Sequence, residues 1–137
     1  MTDDASGLHV LLAEGATDDF VELRVLAYHV AATLGLTDSA RYDSTIEARI
    51  RAATLEIVLE ALREGFAKVV TFDDVTGALT EWDLDGDSVV RVIDEKWRAL
   101  GRPLRLYEVA CIRLTDRGRR IGLALAAAPT PAPQVPS

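Results

Sequence analysis

Apolar and polar positions alternate along this chain with two different periods, and each change of period marks an element. From Thr17 onward Phe20, Leu23, Ala27, Val30, Ala31 and Leu34 recur at helical spacing. Thr17 is placed to cap that helix, Asp18 and Asp19 favour its positive end, and Gly35 stops it. A second helical run opens at "STIE", which reads as a capping box between Ser44 and Glu47, and continues to about Glu64. Its stripe of Ile46, Ile50, Ala53, Ile57, Ala61 and Leu62 is widened by Leu55, Val58 and Leu59. A helix apolar over so much of its circumference belongs at the centre of a fold, touched from several sides.

The period then shortens. Residues 66–72, "FAKVVTF", are β-branched and aromatic and predict a strand, closed by the turn "DDVTG". A helix follows over 88–100, with Val89, Val90, Ile93, Trp97 and Leu100 as its stripe and Gly101 and Pro103 as its stop. "LRLYEVACIRL" (104–114) alternates as a strand. One face carries Leu104, Leu106, Ala110, Ile112 and Leu114; the other carries Arg105, Tyr107, Val109, Cys111 and Arg113. Thr115 caps a last short helix over 116–128. The run "LHVLLA" (8–13) is too short for periodicity to separate a strand from a helix start, and 36–43 reads as a connector. The pattern therefore predicts an N-terminal segment (1–16), a single helix-dominated α+β domain with a small antiparallel sheet (17–127), and a proline-rich disordered tail (128–137).

Charge changes this picture. The 137 residues carry a net charge of −7, yet residues 1–90 hold 18 acids against 6 bases, and residues 91–137 hold 9 bases against 4 acids. An acidic field repels phosphates and argues against non-specific nucleic-acid binding, while the arginine-rich end leaves a local exception. One cysteine excludes an internal disulfide. The acidic start with its short apolar run does not read as a signal peptide, so a cytoplasmic location is expected. No apolar stretch approaches the roughly 20 residues a membrane span needs, so no membrane partner is expected.

Candidate chemistry is sparse. "EWDLDGDSVVRVIDEKW" (81–97) has the acids of a calcium loop without its register. Counting from Asp83 puts Gly86 at position 4, and counting from Glu81 puts Val92 at position 12, where glycine belongs at 6 and glutamate at 12. The same residues read as a turn at Asp85–Gly86 followed by a helix capped by Asp87 or Ser88. His9 and His29 have no second histidine or cysteine near them in sequence, and Cys111 lies within a predicted strand, where a buried thiol is expected. No phosphate loop, dinucleotide turn or nucleophile elbow occurs. No catalytic group, metal or cofactor is expected.

"EVACIRLTDRGRRIG" (108–122) resembles the end of many winged-helix proteins, in which the last wing strand runs into an L-T-x-x-G-R helix start; Leu114, Thr115, Gly118 and Arg119 match. The upstream order of long helix, strand at "FAKVV", helix with Trp97 and strand is similar too. A second echo, Ala31 to Gly35, is similar to helix-turn-helix spacing, but Arg41 and Ser44 stand where that motif turns apolar residues inward. The resemblance implies a winged-helix-like fold with one of two uses. In the first, an acidic face of Asp73, Asp74, Glu81, Asp83, Asp85 and Asp87, anchored by Trp82, receives a basic protein. A small inhibitor or immunity-type protein, or a subunit of an assembly, has this character, and a homodimer is a further option for such a domain. In the second, Arg102, Arg105, Arg113, Arg117, Arg119 and Arg120 contact a DNA backbone beside the wing, as in a transcriptional regulator. The expected groove helix, 88–100, mixes Arg91, Lys96 and Arg98 with Asp94 and Glu95 and suits phosphates poorly. Protein binding is therefore the first expectation, conditional on acids and arginines occupying separate sides of the molecule.

Overall fold

The undecided run 8–13 is helical, inside α1 (Asp3–Thr17), and Leu11 and Leu12 are buried in the core. This is a computed structural model, and it describes residues 3–36, 43–105 and 107–127. The segment expected to precede the domain is thus part of it. Thr17 ends α1 and does not cap a following helix; its hydroxyl donates back to the Glu14 carbonyl. The chain extends through strand β1 (Val21–Glu22) before α2 (Leu23–Thr33) begins. The helical spacing that includes Phe20 misleads here because tertiary pairing overrides local pattern. Val21 and Glu22 join a sheet, and the Phe20 ring packs instead on Phe72 and Tyr107, with centroids 5.0 and 6.1 Å away. Gly35 stops α2 as expected, at φ 73°, and the Leu36 N–H closes the end on the Ala31 carbonyl at 2.8 Å.

Helix α3 (Ser44–Arg63) is central, as its wide apolar face requires, and packs against α1, α2, the strand that follows it and the next helix. Its cap is Asp43 and not the Ser44–Glu47 box: the Asp43 carboxylate accepts from the N–H groups of Thr45 and Ile46 at 2.9 and 3.1 Å. Glu47 is left to accept the Trp97 indole N–H at 2.8 Å. Strands β2 (Ala67–Phe72) and β3 (Leu79–Glu81) form a hairpin, followed by α4 (Gly86–Leu100), β4 (Cys111–Leu114) and α5 (Asp116–Ala127). Trp97, Ile93 and Val89 bury the stripe of α4, and Gly101 ends it at φ 64°.

The four strands form an antiparallel sheet in the order β1-β4-β2-β3. Ile112 stands between Val21 and Val69 on the face that joins the main core. Val70 and Cys111 are partners on the opposite face and fully buried. They share that face with Phe72, whose ring lies 4.6 Å from that of Tyr107. The domain is α+β and helix-dominated, with a small antiparallel sheet.

The strand expected over 104–114 pairs only from Cys111. Upstream, Tyr107 and Val109 have φ of 58° and 68°, which no strand accepts, so the expected alternation of faces over 104–110 does not form. For a β-branched valine that conformation costs on the order of 1–2 kcal/mol. Neighbouring bonds hold it: Arg102 makes two bonds to Glu108 at 2.9 and 2.6 Å, and the Tyr107 N–H donates to Glu22 at 2.9 Å. Leu106, most of the connector (37–42) and the tail over 128–137 lie outside the described residues.

Candidate functional site

The β2–β3 hairpin and the start of α4 carry every residue of the predicted acidic face. The turn is built on Asp73, whose carboxylate accepts from the N–H groups of Val75 and Thr76 at 2.9 and 3.3 Å. Those bonds hold its pKa below the ordinary carboxylate range. Gly77, at φ 75°, completes the reversal, and its N–H reaches the Asp73 carbonyl at 2.7 Å. The turn holds Val75 outward, 89% exposed, with Asp74 beside it. Asp85 caps α4, accepting from the Ser88 N–H at 2.8 Å, so neither Asp87 nor Ser88 is the cap. That bond is also what lowers the Asp85 pKa. Leu84, just before it, is 51% exposed between Asp83 and Asp85.

Trp82, the expected anchor of this face, is half-buried. Its indole N–H donates to the Thr71 hydroxyl at 2.7 Å, one side packs on the core, and Lys96 stands 6.0 Å from the ring centroid. It braces the hairpin against α4. Two carboxylates of the face are already paired: Glu81 with Lys68 at 3.4 Å and Asp87 with Arg63 at 2.9 Å. Asp74 and Asp83 take part in none of the ion pairs or side-chain hydrogen bonds among the described residues.

Three of the six predicted arginines are engaged within the fold. Arg102 is tied to Glu108, and Arg117 donates to the Glu64 carbonyl at 2.8 Å while lying 4.9 Å from the Phe66 centroid. Arg119 donates to the Ala16 carbonyl at 3.0 Å. These three join parts of the fold. Arg117 is exposed even so, and Arg105, Arg113 and Arg120 are exposed outside these contacts, on the irregular loop, β4 and α5. Arg113 stands opposite Lys68, which pairs with Glu81, so an acid interleaves the basic positions. The expected separation of signs is therefore only partial: the hairpin region mixes its acids with Arg63, Lys68 and Lys96.

Cys111 is fully buried, and burial first, then the Glu22 charge, pushes its thiol up to about 12, so it stays protonated at neutral pH. His29 lies 3.8 Å from the Glu14 carboxylate on a neighbouring helix, and His9 is exposed. Among the described residues no group of three or more His, Cys, Asp or Glu side chains is arranged to hold a metal. None of the helices among those residues is long and apolar enough to cross a membrane. Sequence reasoning missed Val75 and Leu84. Their signal was a lone apolar residue beside acids in a turn, after two in "DDVT" and between two in "DLD".

No protein-family model, curated protein or solved structure matches this chain.

Proposed function

We propose that this chain is a non-enzymatic protein-interaction module that receives a basic partner on the β2–β3 hairpin and the start of α4. The observation that carries the reading is the pair Val75 and Leu84: large, exposed and flanked by Asp73–Asp74 and by Asp83–Asp85. Covering each side chain on binding would contribute about 1.5–3 kcal/mol before the cost of association. The unpaired carboxylates beside them would steer a cationic partner and disfavour an acidic one. Trp82, fixed to Thr71, keeps the hairpin in one orientation, so little ordering is left for binding.

Val75→Ser with Leu84→Ser alters only exposed side chains and should leave the fold intact. Immobilised wild type is expected to retain a basic protein from cell extract that raised salt releases and that the double variant does not retain. Identical partner sets on both proteins would discard the surface.

A second reading, a winged-helix-like regulator, draws on one observation. β4 runs into α5 through Leu114 and Thr115, as the resemblance implies. Arg105, Arg113 and Arg120 are exposed and outside the side-chain contacts that hold Arg102, Arg117 and Arg119. Titration of a DNA duplex at low and moderate salt tests it: salt-sensitive binding weakened by Arg113→Ala would favour this reading over the first.

A further inference from the structure

Between α1, α2 and α3 lies a cavity of about 150 Å³, on a different part of the molecule from the hairpin. Val10, Leu26, Val30 and Ile57 give it an apolar lining, and Glu56 and Glu60 stand at its edge. The two glutamates are exposed, one turn apart on α3, and neither appears in an ion pair or side-chain hydrogen bond among the described residues. Like charges at that spacing repel, and Glu60, in the last turn of α3, also opposes the helix dipole. Both effects disfavour these residues as mere helix surface, and a bound cation relieves both. His29, the other titratable group in the lining, is turned to Glu14 at 3.8 Å.

We infer that this cavity binds a small amphiphilic amine: an aromatic or branched alkyl group seated among Val10, Leu26, Val30 and Ile57, with its ammonium between Glu56 and Glu60. An apolar cavity of this size accommodates a benzene-sized group. The lining supplies affinity by covering apolar surface, and the carboxylates supply the choice of charge. An organic acid of the same shape would meet two like charges at the entrance.

NMR titration with three probes of one shape tests this: 2-phenylethylamine, 2-phenylethanol and 3-phenylpropionate at low salt. Saturable shifts of the Val10, Val30 and Ile57 methyls are expected in the millimolar range, with the amine bound roughly fivefold more tightly than the alcohol, as two exposed ion pairs allow. The carboxylate should bind most weakly. In the Glu56→Gln, Glu60→Gln variant the amine should fall to the alcohol's affinity while the alcohol is unchanged. Ala53→Leu, which fills the cavity from its lining, should abolish all three. Equal binding of amine and alcohol to wild type, a preference that survives in the double variant, or the absence of saturable shifts at those methyls would overturn the inference. The hairpin variants should bind the amine normally, so failure here does not bear on the proposed partner surface.

Discussion

Glu108 is the residue on which the irregular approach to β4 turns. Its carboxylate takes two bonds from Arg102 and a third from the Arg105 N–H, and these hold its pKa down to about 2 against an ordinary 4.5, the Arg102 bond contributing most. A carboxyl more acidic in the folded chain than in the unfolded one stabilises the fold above its ordinary pKa. That contribution is lost as pH falls from about 4.5 towards about 2. Glu108→Gln should therefore lower unfolding stability at neutral pH by roughly 2 kcal/mol, the worth of a charge-assisted pair that is only partly shielded from water. Denaturant titrations at several pH values check this: the gap between wild type and variant should shrink steadily below pH 4.5. At this scale the sequence was only partly legible. Asp73 and the turn around Gly77 follow from local chemistry, and so does the stop at Gly101. The choice of Asp43 over Ser44 as cap, and of Asp85 over Asp87, depends on which backbone N–H each carboxylate reaches. Composition does not reveal that.

At the scale of elements, the L-T-x-x-G-R stretch acquires a physical reason. Thr115 links the start of α5 to the turn after α3, donating to the Gly65 carbonyl at 2.7 Å and accepting from the Gly118 N–H at 3.1 Å. Gly118 must be glycine because a Cβ there would stand 2.0 Å from the Phe66 carbonyl oxygen. Gly122 faces the Leu12 carbonyl in the same way, at 2.2 Å, and so brings α5 against α1. Gly118→Ala should cost about 3 kcal/mol or more, since backbone would have to move to admit the methyl group. Gly86→Ala is the matched control: its Cβ would meet nothing closer than 3.5 Å, at the first helical position of α4. It should be neutral or stabilise by up to about 1 kcal/mol through the unfolded chain. Thermal melts of the two variants should move apart, and a fall in both would discard the close-approach argument. α3, α4, β2 and α5 were legible because their own apolar period and stops set them. β1 and β3 were not, being two and three residues long and existing only through their partners.

For the whole molecule, the misplaced boundary is the most instructive result. Residues 3–17 lack a clear helical period, yet they form one wall of the domain: Leu11, Leu12 and Ala16 are buried, and Arg119 reaches the Ala16 carbonyl. The candidate surface was legible only in outline for a related reason. The run of acids was plain, but Arg63 at the end of α3 and Lys96 further along α4 lie outside that run, and only the packing of these helices on the hairpin brings them to it. Removing residues 1–17 would expose the close-packed side of α5 and strip two fully buried leucines from the core, each worth about 1.5–3 kcal/mol, along with every backbone contact of α1. Set against the total stability of an ordinary domain, about 5–15 kcal/mol, that loss should abolish cooperative unfolding. The chain from residue 18 onward should keep some far-UV helical signal but lose near-UV structure around Trp82 and Trp97 and melt without a defined midpoint. A sharp melt within a few degrees of the full chain would show instead that α1 is an accessory. Its burial would then add little to the core formed by α3, α4 and the sheet.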